Sequence, residues 1–328
     1  MNLVICTTPF QMLMAEKIID LYPNEKFYAI QFLKKGNDKF EFYSKKVASK
    51  CTYHKIYRFW FKRKWEMLLF FVYIRLRGFF FPEFDKVFIA SVDHIAIHLL
   101  LSSLSIKEFI TFDDGSANID KNSFFYRGNY SNARVIILNK ILRNKFNLHK
   151  ILSMTKKHYT IFKDRDNIIK NTVLLDIFNS ERKNVFSCEN ILINCEKKSK
   201  GCIKICLGQP IFELASNLSL AEKRGRNIHC TSELVKNNEV EYYFPHPRED
   251  YIIENVDYIR TELIFEDFFQ ANYDPNKKYV IYTFFSSAIY SLLGLANVEV
   301  ILVKPKYLPR EIAKFYELPE SFGIKIIT

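Results

Sequence analysis

No Cys-x-x-Cys pair, no Gly-x-Gly-x-x-Gly fingerprint and no Walker A loop occurs in this 328-residue chain. Zinc-ribbon, dinucleotide-binding and ATP-driven machinery therefore have no support. No apolar run reaches the ~20 residues that a bilayer span needs. The most apolar stretch, Met67 to Phe81, is interrupted by Arg75 and Arg77. It reads as a buried helix, with a membrane-surface helix beside Lys62-Arg63-Lys64 as the second reading. Met1 to Met14 lacks a basic n-region and a small-residue cleavage site, so no signal peptide is expected and a cytoplasmic protein is. Internal repeats and low-complexity segments are missing too, which sets solenoids aside.

The seven cysteines, at 6, 51, 188, 195, 202, 206 and 230, stand singly, several of them inside apolar strand-like runs. Reduced, buried thiols explain them better than a disulfide framework or a zinc site. Composition is 48% hydrophobic and 26% charged, and the net charge is +12. A chain of this make-up folds, and its length suits two domains. Its basic excess favours an anionic partner: nucleic acid, anionic lipid or a charged small substrate. No nucleic-acid module is visible, so a nucleic-acid partner is not expected.

Strand-like runs alternate with helix-length segments, the pattern of parallel α/β layers. They are Asn2 to Cys6, Lys26 to Phe32, Lys86 to Ile89, Glu108 to Phe112 and His158 to Phe162. In the second half come Cys202 to Leu207, Glu241 to Phe244, Thr261 to Phe265, Tyr279 to Phe284, Val298 to Val303 and Ile324 to Ile327. The polar, charge-rich stretch from 177 to 200 marks the junction, giving domains 1–185 and 186–328 that face each other across a cleft.

Three motifs stand just past strands, where open α/β sheets bind ligands. Asp113-Asp114-Gly115 follows Phe109 to Phe112; the glycine permits a tight turn that leaves carboxylates at the strand tip. One acid can accept a proton from a hydroxyl nucleophile while its neighbour binds substrate or holds the loop, and each raises the other's pKa. A solvated turn is the plainer reading of such a tripeptide. Pro245-His246-Pro247 pins an imidazole between two prolines, which limits its backbone freedom and suits a proton donor to a leaving phosphate. Ser286-Ser287 precedes Ala288 to Leu293, where hydroxyls and free backbone N–H groups at a helix start can cradle a phosphate or simply cap the helix. Gly208-Gln209-Pro210 and Thr7-Thr8-Pro9-Phe10-Gln11 also follow strands; the first loop can approach a nucleotide, and Gln11 can reach into the cleft or cap its helix. Asp164-Arg165-Asp166 has the form of a metal-diphosphate site but continues a charged run, and a solvated loop is the expectation. Asp93-His94 and His98 lack a further ligand at metal spacing.

Taken together and in order, Asp113-Asp114-Gly115, His246-Pro247 and Ser286-Ser287 resemble the motifs of the bacterial lipooligosaccharide sialyltransferases of glycosyltransferase family 52. The opening Cys6 to Gln11 and the Gly208-Gln209-Pro210 loop are also similar to that family. The resemblance implies a GT-B fold of two Rossmann-like domains, the first binding acceptor and the second binding CMP. It implies CMP-sialic acid as donor, a galactose-terminated glycan or glycolipid as acceptor, inversion at the anomeric carbon, no metal or other cofactor, and a homodimer. Asp113 is carried over as the base, with Glu213 or Glu222 as alternatives, and His246 as the acid. Gln11, Asp114, Gly115, Gly208, Gln209, Pro247, Ser286 and Ser287 become substrate-binding residues, and Glu266 a ligand of the ribose hydroxyls. Peripheral association with the inner membrane follows from the basic surface and the glycolipid acceptor. A GT-B enzyme with a different nucleotide-sugar donor is the alternative.

Overall fold

The computed structural model describes residues 1–33, 38–59, 61, 63–127, 133–163, 165–177, 201–215 and 217–328. The chain divides into two compact units, Met1–Ile177 and Phe178–Thr328. The expected junction, 177 to 200, lies outside the described residues except for Ile177.

The first unit is built on seven parallel strands: β1 (Asn2–Cys6), β2 (Phe27–Leu33), β3 (Tyr53–Arg58), β4 (Phe84–Ile89), β5 (Ile106–Phe112), β6 (Thr155–Thr160) and β7 (Thr172–Leu174). Their order is β3-β2-β1-β4-β5-β6-β7. All five residues of β1 are buried, as expected where helices cover both faces of a parallel sheet. After β1 the chain winds outward through β2 and β3, then returns to β4 on the other flank of β1. The crevice between the ends of β1 and β4 is therefore the point at which strand order reverses. Thr7-Thr8 leads from β1 into the helix Pro9–Asp20, where the Thr8 side chain accepts from the Gln11 N–H and Pro9 occupies the first turn without losing a helical bond.

The second unit repeats the plan with β8 (Cys202–Leu207), β9 (Tyr242–Phe244), β10 (Asp257–Tyr258), β11 (Lys278–Thr283), β12 (Val298–Val303) and β13 (Lys325–Ile327). The order β10-β9-β8-β11-β12-β13 is parallel throughout and places the reversal between β8 and β11. Each unit has its own apolar core. Leu3, Ile5, Ile89, Leu99 and Phe109 belong to the first; Cys206, Phe212, Tyr243, Phe284 and Ile301 belong to the second.

Several expectations shift. Thr261 to Phe265 is not a strand: Leu263, Ile264 and Phe265 are buried, but they lead into the helix Phe265–Asn272. An apolar run of this length does not distinguish a buried strand from a helix start. The short edge strands β3, β7 and β10 carried too little apolar signal to be foreseen. Met67 to Phe81 is not a buried helix either, since only Phe71 and Ile74 of the helix Lys64–Arg77 are buried. Among the described residues no helix is long and apolar enough to cross a membrane. Cys6, Cys51, Cys202, Cys206 and Cys230 are free thiols; Cys188 and Cys195 lie outside the described residues.

Candidate active site

Adjacent in sequence, the two acids past β5 have opposite surroundings. Asp113, expected to stand exposed as the base, is wholly enclosed. Its Oδ1 accepts from Asn118 Nδ2 at 2.7 Å and His158 Nε2 at 2.9 Å. Its Oδ2 accepts from Thr160 Oγ1 at 2.9 Å and the Ile161 N–H at 2.7 Å. With the His158 Nε2 proton on Asp113, Nδ1 accepts from the Thr111 hydroxyl at 2.8 Å. Four partners from β6 and the turns that follow β5 and β6 thus lock the carboxylate, as a buried charge requires, and Thr111 of β5 orients the histidine among them. The exposed-tip expectation fails for Asp113 because β6, which pairs with β5 at Phe112↔Tyr159, covers that side of the tip.

Asp114 turns the other way and is half-buried. Its Oδ1 accepts from Gln11 Nε2 at 2.7 Å, and Ser91 Oγ donates to Oδ2 at 3.4 Å. Burial first, then the charges of Asp93 and Asp113, push its pKa up to about 6 against the lowering pull of the Gln11 and Ser91 hydrogen bonds. Asp93 is itself raised by burial. Gly115, at φ 65°, makes the turn that directs the chain away from the tip, a conformation that a Cβ would strain.

Gln11 was expected to reach into a cleft or cap its helix, and its side chain lies at the crevice of the first sheet, bonded to residues that follow three strands. Its buried amide accepts from the Thr7 N–H at 2.7 Å and donates to Ser91 Oγ at 2.8 Å as well as to Asp114. Thr7 Oγ1 lies 2.8 Å from Ser91 Oγ. Thr7 follows β1 and Ser91 follows β4, so this network spans the crevice where strand order reverses, the ligand position of open α/β sheets.

The second unit places its motifs at its own reversal. Gly208-Gln209-Pro210 follows β8, and Ser286 follows β11; Gln209 Oε1 accepts from the Phe285 N–H at 2.9 Å and joins the two loops. Gly208 has a packing reason to be glycine: a Cβ there would fall onto the Glu249 carboxylate and the Tyr243 hydroxyl, which are bonded to one another at 2.8 Å. Ser286 caps a 3₁₀ helix, Ser287–Leu292, its Oγ accepting from the Ala288 N–H at 3.4 Å; Ser287 is exposed. His246, just past β9 beside β8, is half-buried. Its Nδ1 accepts from the Arg248 N–H at 3.1 Å, which assigns the ring proton to Nε2. The Glu249 N–H donates to the His246 carbonyl at 3.0 Å and closes the turn through half-buried Pro247. Glu266 is buried in the first turn of Phe265–Asn272.

The alternative bases are already engaged. Glu213 pairs with Arg248 at 3.3 Å. Glu222 closes a capping box with Ser219, whose hydroxyl and N–H hold its carboxyl below the usual range. Asp166 pairs with Lys170, and Asp164 lies outside the described residues. His98 Nε2 lies 2.7 Å from the Val92 carbonyl, and burial lowers its pKa, in keeping with a core histidine. Among the described residues no group of three or more His, Cys, Asp or Glu could hold a metal.

Ser91, Asn118, His158 and Thr160 were not foreseen, and Asp93 was weighed only as a metal ligand. Ser91 and Asp93 could have been found, because they too follow a strand. Asn118, His158 and Thr160 depend on β6 lying beside β5, which no local pattern reports.

Comparison with known proteins agrees with this architecture. The chain is 34% identical to the CMP-N-acetylneuraminate:beta-galactoside alpha-2,3-sialyltransferase of Pasteurella multocida, over 100% of this chain and 99% of that protein. It is 33% identical to an N-acetyllactosaminide alpha-2,3-sialyltransferase of Haemophilus influenzae, over 93% of this chain and 92% of its relative. A similarly named protein of Neisseria meningitidis is 25% identical, over 100% of this chain and 85% of that protein. Among solved structures, a glycotransferase of kitacinnamycin superposes with a TM-score of 0.53 at 10% identity, covering 99% of this chain and 86% of its own. The paired Rossmann-like units are thus those of a GT-B glycosyltransferase. Residues 24–307 match the model of glycosyltransferase family 52, and the chain belongs to that family.

Proposed function

We propose that the enzyme transfers sialic acid from CMP-sialic acid to the terminal galactose of a lipooligosaccharide or other surface glycan, with inversion and without a metal. The observation that carries the substrate assignment is full-length similarity to a protein named as a CMP-N-acetylneuraminate:beta-galactoside alpha-2,3-sialyltransferase. In this reading Asp114, not Asp113, is the base. Asp113 is wholly enclosed and holds four donors, whereas Asp114 is half-buried, oriented by Gln11 and Ser91, and has its pKa raised to about 6. The acceptor oxygen bonds to the anomeric carbon from the face opposite CMP as its proton passes to Asp114. The bond from that carbon to the CMP oxygen breaks, the electron pair stays on the CMP phosphate, and His246 steadies that leaving phosphate with a hydrogen bond from Nε2–H. A single phosphate can be stabilised by hydrogen bonds from His246 Nε2–H and the Ser286 and Ser287 hydroxyls, so a divalent ion is not required by the chemistry. Gly208, Gln209 and Pro247 shape the donor side, Glu266 takes the ribose hydroxyls, and Gly115 sets the turn beside the base.

Calorimetric titration with CMP, UDP, GDP and ADP in the presence of EDTA tests the donor, and NMR of the first product tests the stereochemistry. Selective CMP binding, an inverted product and a roughly hundredfold slower His246→Ala enzyme that still binds CMP are the expected outcomes. Preference for UDP or GDP would instead assign a different nucleotide-sugar donor.

A further inference from the structure

We propose that Glu249 is a positioning residue for His246, a role that rests on the reading of His246 as the group that steadies the leaving phosphate. His246 opens a four-residue turn, residues 246–249, which closes where the Glu249 N–H donates to the His246 carbonyl at 3.0 Å. Pro247 takes the second position, where its fixed φ suits a turn. Inside the turn the Arg248 N–H donates to His246 Nδ1 at 3.1 Å. That bond makes Nδ1 an acceptor and leaves the proton on Nε2, so the tautomer depends on how the Arg248 peptide is aimed. The peptide is held on one side by β9, which leads into the turn, and on the other by whatever holds Glu249.

The side chains of the last two turn residues go opposite ways. Arg248 is exposed and pairs with Glu213 at 3.3 Å. Glu249 turns inward: its Oε2 accepts from the Tyr243 hydroxyl at 2.8 Å, and its Oε1 lies against Gly208, where an added Cβ would fall onto it. A phenol donating to a carboxylate makes a stronger bond than two neutral partners would. Tyr243 is wholly buried in β9, its ring 5.1 Å from that of Tyr258, so the hydroxyl is a fixed anchor. Burial first, then the Glu249 charge, raises the pKa of Tyr243, of Tyr251 and of the Cys206 thiol, which places the carboxylate among groups of β8, β9 and the loop beyond the turn. The anchor reaches the neighbouring loops as well. The Gly208 N–H donates to the Phe244 carbonyl at 2.9 Å, and Gln209 Oε1 accepts from the Phe285 N–H. One carboxylate thus braces the loops after β8 and β9 and, through Gln209, the loop that carries Ser286.

The test compares Glu249→Ala, Glu249→Gln and Tyr243→Phe in the full chain; the last removes a single oxygen and keeps the ring in the core. Proton–nitrogen correlation of the histidine rings in isotope-labelled protein at about pH 8, where an imidazole is neutral, reads the tautomer, and His246→Ala assigns the signals. The wild type is expected to carry the His246 proton on Nε2, and Glu249→Ala and Tyr243→Phe to show a mixture of the two tautomers. Turnover should fall roughly tenfold or more in both variants while CMP affinity stays within about threefold, since a displaced group is lost from the transition state first. Glu249→Gln, which still accepts from Tyr243, should recover most of the rate. Wild-type ring signals or unchanged turnover in both variants would overturn the proposal. CMP affinity that falls in step with the rate would overturn it too, by assigning Glu249 to packing of the loops. A His246→Ala enzyme as fast as wild type would overturn the leaving-group reading instead, and the ring signals would still decide whether Glu249 holds the imidazole.

Discussion

Asp113 and Asp114 carry the same side chain at successive positions, and their surroundings are opposite: one is enclosed, the other half-buried. Removing the Asp113 carboxylate would strand the donors of His158, Thr160 and Ile161 in the interior. Asp113→Ala should therefore cost about 3–5 kcal/mol of stability, read as a lower urea midpoint. Asp114→Asn should leave that midpoint nearly unmoved and slow turnover by roughly a hundredfold or more. A base must be ionised to work, and Asp114 is protonated below about 6. The wild-type kcat/KM should accordingly rise with pH through that value, and this limb should vanish in Asp114→Asn. At this scale the Asp-Asp-Gly, His-Pro and Ser-Ser motifs were all legible from residue type and strand-end position. Which acid faces the interior was not, because it depends on His158 and Thr160, more than forty residues downstream.

The elements that carry these side chains explain why Gln11 is buried in the first turn of the helix Pro9–Asp20. Through one amide, β1, β4 and β5 are held in mutual register at their carboxyl ends. Its hydrogen bond favours the ionised form of Asp114. Gln11→Leu should thus move the acid limb of the rate profile to higher pH, which an unchanged limb would contradict, and a role confined to packing would not shift it. In the second unit two glycines behave oppositely. Gly208→Ala would drive a Cβ into Tyr243 and Glu249 and should cost about 1–3 kcal/mol. Gly225, exposed in the helix Leu220–Asn237 with open space around it, should tolerate alanine and gain about 0.5–1 kcal/mol. Thermal melts of the two variants should move in opposite directions. The strands β1, β8, β11 and β12 could be read from apolar runs, interrupted only by Lys204 in β8 and Glu299 in β12, since parallel strands are covered on both faces. Helix Lys64–Arg77 misled because apolar content alone does not say which side chains are buried: only Phe71 and Ile74 are.

For the whole molecule, alternation of strands and helices announced two parallel α/β units, and the similarity to family 52 extends over most of the chain. Strand order is what the alternation leaves out. Only with β1 beside β4, and β8 beside β11, do the scattered motifs fall at two equivalent reversals. The most direct test of the central claim is the initial rate of CMP release from CMP-sialic acid with and without a β-galactoside, measured from pH 5 to 8 for wild type and Asp114→Asn. Release that depends on the galactoside, with an ascending limb near 6 that is lost together with at least about a hundredfold of the rate in the variant, is the predicted result. Galactoside-independent release, or an Asp114→Asn enzyme as fast as wild type, would contradict it.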